Sequence, residues 1–151
     1  MQTKPEYERL DEYTTLAEQI VEKHSGVFAG VDTKLIRAFL ITNKERSEKK
    51  PKLFDIKAVS DPVRMDLEYG HYVIFHQEDW NMLEQKHKLL LVAQTLCAIV
   101  IDENGEMIEG KVNAFDMKDY STMLRTFGTD YLIKDNVPDL LEDDIKWIGE
   151  F

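Results

Sequence analysis

The sequence predicts an α+β fold, a small and mostly antiparallel sheet packed on a central buried helix with flanking helices. Three observations carry that prediction. Three short segments are rich in β-branched and aromatic residues. One longer run, Leu89 to Ile101, is apolar nearly all round, as a helix in the middle of a small protein must be. Amphipathic stripes of helical period flank these on either side. The 151 residues fit a single domain, 1–151, and 43% apolar residues suffice for one core.

The elements follow in chain order. Pro5 to Lys23 reads as an amphipathic helix, because Leu10, Tyr13, Ala17, Ile20 and Val21 fall on one stripe. Pro5 suits a first turn, the acidic residues before Tyr13 suit the positive end of the helix dipole, and His24-Ser25-Gly26 ends the helix. Lys34 to Thr42 reads as a strand covered on both faces. Asn43 to Lys52 is polar and charged, a solvated hairpin loop, and Leu53 to Ser60 alternates as the antiparallel partner until Asp61-Pro62 breaks it. His71 to His76 is a third strand. Gln77 to Glu84 opens a helix with Trp80 and Leu83 one turn apart, and the central helix covers Leu89 to Ile101. Asp102 to Gly105 is a turn. Asp116 to Phe127 repeats apolar residues at helical spacing up to Gly128, and Val137-Pro138 starts a last short helix with Leu140, Leu141 and Ile145. Trp147, Ile148 and Phe151 are expected to fold the tail back on the core.

Charge and cysteine content exclude several classes of function. The formal net charge is −10, which opposes binding to nucleic acid or anionic lipid through a general basic surface. Its distribution is uneven. Lys34 to Lys57 holds eight basic and three acidic residues, whereas Asp102 to Phe151 holds five basic and thirteen acidic. Solvated surfaces are the plain reading, and two opposite electrostatic faces the sharper one. A single cysteine, Cys97, excludes an internal disulfide and any zinc site needing two thiolates. No apolar run is long enough to cross a membrane, and Met1 to Glu6 lacks the apolar core of a signal peptide, so a soluble, cytoplasmic protein is expected.

One segment carries a family pattern. His71 to Ile99, HYVIFHQEDWNMLEQKHKLLLVAQTLCAI, resembles the phage metallopeptidase family, small zincin-like proteins of phages and mobile elements. Members have an edge strand, a tryptophan-bearing helix and a buried helix with an HELxH-type zinc motif. A later HD-x-x-[DE]-[FY] segment supplies the third ligand and runs into a helix ending near Phe-Gly. Phe115 to Tyr120, then Phe127-Gly128, and Val137 to Leu140 fit those later features. The resemblance covers roughly Val31 to Leu141 and implies a zincin-like core there.

The resemblance also implies a lost activity. In HExxH, two His one turn apart reach one metal and the Glu activates its water. Aligned on Leu96, Cys97 and Ile99, those positions are Gln94, Thr95 and Ala98, and the third ligand position is Phe115. None is a usual zinc ligand or a competent base, and a one-residue shift to Ala93, Gln94 and Cys97 leaves one possible ligand. The chain thus reads as a catalytically inactive, zinc-free relative that needs no cofactor.

Other groups have simpler readings. His24, His71, His76 and His87 are scattered, and His71 and His76, five apart, point to opposite faces of a strand. Cys97 in the apolar centre of the buried helix reads as a core residue. Gln94 and Thr95 are the polar residues of that apolar run and read as groups bonded to a neighbouring strand or to Asp116. Asp116, Asp119 and Glu142-Asp143-Asp144 lack the spacing of a calcium loop, and Asp116 reads as a helix cap. No phosphate-binding or nucleophile-elbow motif is present.

Function is therefore expected in surfaces. The leading expectation is a phage or mobile-element protein that binds another protein, concretely an inhibitor of a host defence nuclease of the CRISPR or restriction type. Asp135, Asp139, Glu142, Asp143 and Asp144 would form the acidic contact face. Two alternatives stay open. One is a hydrolase with a site rebuilt around Gln94, Thr95 and Asp116, or with an atypical metal. The other is nucleic-acid binding through the basic stretch Lys44 to Lys52, against which stands the lack of stacking aromatics among those lysines.

Overall fold

The computed structural model describes residues 4–42, 53–113 and 119–148. Its architecture is α+β: a mixed four-stranded sheet, a separate two-stranded hairpin and four helices among the described residues.

The chain opens with a strand, β1 (Glu6–Arg9), and only then enters helix α1 (Asp11–Lys23). The expected helix from Pro5 is thus corrected at its start. The apolar stripe begins at Leu10, so nothing upstream had a core to face. Those residues instead pair antiparallel with β2 (Ile36–Thr42), from Glu6 opposite Thr42 to Arg9 opposite Phe39. Tyr13, Leu16, Ala17 and Ile20 form the buried face of α1, as the stripe requires.

Strand β3 (Phe54–Ala58) and strand β4 (His71–His76) complete the sheet in the order β1-β2-β4-β3. β4 lies between β2 and β3, parallel to the first and antiparallel to the second. The expected hairpin of β2 with β3 is therefore overturned, while the loop assigned to Asn43–Lys52 lies outside the described residues. A pattern of alternating burial reports which face a residue takes, not which strand stands beside it. Two of the three strand pairs are antiparallel. The Asp61-Pro62 peptide, just beyond β3, is cis.

Helix α2 (Gln77–Met82) follows β4 directly, and helix α3 (Gln85–Leu96) runs through the core with every residue from Leu89 to Leu96 buried. The helix expected to reach Ile101 stops five residues earlier. Ile99–Ile101 is strand β5, paired with β6 (Met107–Val112), an element the sequence reading missed. Three β-branched residues before a turn favour a strand over a helix. The turn is the expected one. The Asp102 carboxylate accepts from the Asn104 and Glu106 amides, both at 2.9 Å, and Gly105 takes a positive φ of 78°.

Helix α4 (Ser121–Phe127) starts later than expected, since Asp119 and Tyr120 precede it and 114–118 lie outside the described residues. Gly128 ends it at φ 79°, as read from the sequence. The expected last helix at Val137 is not formed. Residues 129–148 run through turns, in which Asp139 Oδ1 accepts from the Leu141 and Glu142 amides at 2.8 and 3.1 Å. An Asp that caps local amides this way offers the backbone an alternative to helix. The tail does return to the core. Trp147 packs edge-on against Phe28 and Phe127, with centroids 5.6 and 5.3 Å apart, whereas Ile148 is exposed.

The core lies between the inner face of the sheet (Ile36, Ala38, Leu40, Phe54, Val73, Phe75) and helices α1 and α3. On the far side of those helices sits the 131–147 segment, through Tyr131, Val137 and Leu140. No helix among the described residues is long and apolar enough to cross a membrane.

Candidate functional site

The C-terminal end of α3 carries Gln94 and Thr95, two of the positions aligned with the zinc motif. Thr95 is fully buried. Its hydroxyl donates to the Val92 carbonyl at 2.6 Å, which leaves the Tyr13 hydroxyl, 2.9 Å away, to donate to Thr95. Burial raises the Tyr13 pKa, with the hydrogen bond to Thr95 opposing it weakly. Gln94 is buried on the same helix. Ala98 is fully buried and lies beyond the end of α3, so Gln94 and Ala98 are not held on one continuous helical face. Phe115 and Asp116 lie outside the described residues. Thr95 thus bonds to α1 rather than to a strand.

Cys97 departs from its expected place. It caps α3 and is half-buried rather than sealed in an apolar centre. It lines a cleft of about 720 Å³ between the loop Gly26–Val31, the α3–β5 junction and the start of α4. Polar lining comes from Asn113, Tyr120, Ser121, Thr122 and Arg125. Two of these already hold the wall together. Tyr120 donates its hydroxyl to the Asn113 carbonyl at 2.8 Å, and the Asn113 amide donates to the Cys97 carbonyl at 3.2 Å. Gly30 seats the loop against the β5–β6 turn. It has φ 87°, and a Cβ there would fall 2.2 Å from the Gly105 carbonyl oxygen. No His, Asp or Glu lines the cleft among the described residues.

The histidines serve as struts. His24 Nε2 donates to the Leu140 carbonyl at 2.6 Å, His71 Nε2 to Lys111 at 2.9 Å, and His87 Nε2 to Lys134 at 2.5 Å. All three are buried. No group of three His, Cys, Asp or Glu side chains converges for a metal among the described residues.

The acidic residues divide. Asp119 is buried, and it accepts from the Tyr120 amide at 2.6 Å and from the Tyr131 hydroxyl. The Tyr131 pKa is raised, by burial first and then by the negative charge of Asp119. Asp135, Glu142, Asp143 and Asp144 are exposed and Asp139 is half-buried. Asp143 Oδ2 accepts from the Asp139 amide at 2.8 Å, and Lys23 donates to the Asp143 carbonyl at 2.6 Å. The five therefore lie along one surface segment, with Asp139 and Asp143 also shaping its turn.

Compared with families of known proteins, the chain matches the one described as Putative phage metallopeptidase over residues 5–143. It belongs to that family. Neither curated proteins nor solved structures returned a match. The family match extends beyond the Val31–Leu141 stretch that carries the resemblance, taking in α1 and most of the C-terminal turns.

The Trp80 helix is tied into this arrangement. Trp80 Nε1 donates to Glu12 at 2.8 Å, its ring lies 4.9 Å from Phe75, and Lys88 sits 5.1 Å over it. That cluster holds α1, α2 and β4 in register around the buried helix. The open cleft, by contrast, was not legible in the sequence. Its walls come from segments about 100 residues apart, and its polar groups follow no spacing rule.

Proposed function

We propose that this member of the phage metallopeptidase family does not hydrolyse peptides and acts instead by binding another protein through its acidic C-terminal segment. The observation that carries the reading is Thr95. Aligned on Leu96, Cys97 and Ile99, it takes the position of the water-activating glutamate, yet it is fully buried and bonded to Val92 and Tyr13. An amide at Gln94, a methyl at Ala98 and a phenyl at Phe115 complete the aligned set, and this donor chemistry does not fit zinc. The residues therefore support no metal-dependent step.

The partner is a nucleic-acid-binding protein, concretely a host defence nuclease, whose basic cleft the acidic segment occupies in place of DNA or RNA. Four of the five acidic residues are exposed, consistent with such a contact. The test is capture from host lysate at physiological salt. A variant with Asp135, Asp139, Asp143 and Asp144 changed to Asn and Glu142 to Gln keeps an oxygen acceptor at each turn position. It is expected to lose a nuclease that the parent chain retains. Equal capture by both would contradict the proposal.

A further inference from the structure

The outer face of the sheet is a second surface with its own chemistry. Helices α1 and α3 cover the inner face, through Ala38, Leu40, Val73 and Phe75. The alternate residues point away from them. By register, Tyr72 of β4 stands between Arg37 of β2 and Lys57 of β3, and Ile74 of β4 between Phe39 of β2 and Asp55 of β3. Arg9 of β1 faces Phe39 on the same side, and Tyr7 follows two residues before it. These residues outline a shallow groove of about 370 Å³, lined by Tyr7, Phe39, Tyr69, Tyr72, Ile74, Asp55 and Lys57. Tyr7 is 59% exposed. Next along β2, Ile41 is buried, so the open part of the face runs from there toward Tyr69 and Tyr72.

Three aromatic rings on this sheet face and Tyr69 on the loop beside it, one exposed and three half-buried, call for an explanation. Here the rings are interleaved with cations. The Arg37 guanidinium lies 5.8 Å over the Tyr69 ring, and Lys57 and Arg9 flank the groove. Asp55 lies 3.9 Å from Lys57, and Asp11 lies 4.0 Å from the half-buried Arg37, both loose contacts.

We infer that this sheet face binds single-stranded nucleic acid. Its rings would stack on unpaired bases, which every base permits, and its cations would track the phosphates. Strands stand about 4.8 Å apart and same-face residues about 6.8 Å apart along a strand, so rings on β1, β2 and β4 reach more than one base. The acidic segment lies across the helices from this face, joined to α1 by Lys23 and His24 and to α3 by His87. It does not compete for the same ligand.

The experiment is fluorescence anisotropy with labelled oligothymidylate of about 15 nucleotides and a duplex of equal length. The full chain is expected to prefer the single strand at low salt and to lose affinity steeply as salt rises. Tyr7→Ala and Tyr72→Ala are each expected to weaken binding about tenfold, Tyr72→Phe to retain it, and Lys57→Glu to reduce both affinity and salt slope. Melting temperatures check that each variant folds, and the exposed Tyr7 serves if Tyr72→Ala does not. Lack of binding at low salt, equal affinity for duplex, or undiminished binding by folded Tyr7→Ala would overturn the inference. So would a protein partner captured through Tyr7 with no oligonucleotide bound.

Discussion

Thr95 and Tyr13 illustrate how a position can be legible while its partner is not. The sequence isolates Thr95 as a polar residue in an apolar helix, and a buried hydroxyl needs a partner. That the partner is Tyr13, 82 residues earlier, depends on how α1 packs across α3, which no local pattern encodes. Tyr131, held by Asp119, is a second buried phenol. Both pKa values lie above the ordinary 10.0. Each neutral phenol therefore contributes stability fully present below pH 10, which is lost as pH rises from there toward the raised folded values. The urea midpoint should fall steeply above pH 10. Tyr13→Phe should cost about 1 kcal/mol at neutral pH and shallow that alkaline fall, since one phenol no longer has to ionise on unfolding. An unchanged alkaline slope would contradict the assignment.

At the scale of elements, strong periodicity was readable and termini and neighbours were not. The stripe of α1, strand β4 and the buried α3 follow from residue pattern. The first strand, β6 and the sheet order do not. Residues of β1 are all exposed and carry no apolar alternation, and β6 is mostly exposed too. Their pairing is set by backbone hydrogen bonds to strands already in place. The C-terminal turns are likewise held by contacts remote in sequence. His24 donates to the Leu140 carbonyl and accepts from Trp147 Nε1 at 3.1 Å, joining the end of α1 to both. His24→Ala should remove both bonds and an edge-on ring contact, at roughly 2–3 kcal/mol. Hydrogen exchange should then accelerate in 137–147 before it does in α3. Uniform acceleration across the chain would argue that His24 supports the whole core rather than this one attachment.

For the whole molecule, an α+β fold belongs to a family described as phage metallopeptidases, and we propose that this chain lacks that family's zinc ligands. A fold preserves its packing when its site changes, because the core depends on apolar surface and the site on a few donors. Here the buried helix, the Trp80 cluster and the Gly128 stop build the core, and the two proposed binding surfaces lie outside it. The acidic one was visible as a run of Asp and Glu in the last third. The aromatic sheet face was not, because its rings come from three strands and a loop and meet only once β4 stands between β2 and β3.

The proposed loss of zinc binding at Gln94, Thr95, Ala98 and Phe115 is open to metal analysis of the untagged chain, purified without chelator and then dialysed against excess zinc. Far less than one zinc per chain, with a melting temperature indifferent to zinc and to EDTA, is the result expected. One tightly held zinc per chain, whose removal lowers the melting temperature, would contradict it.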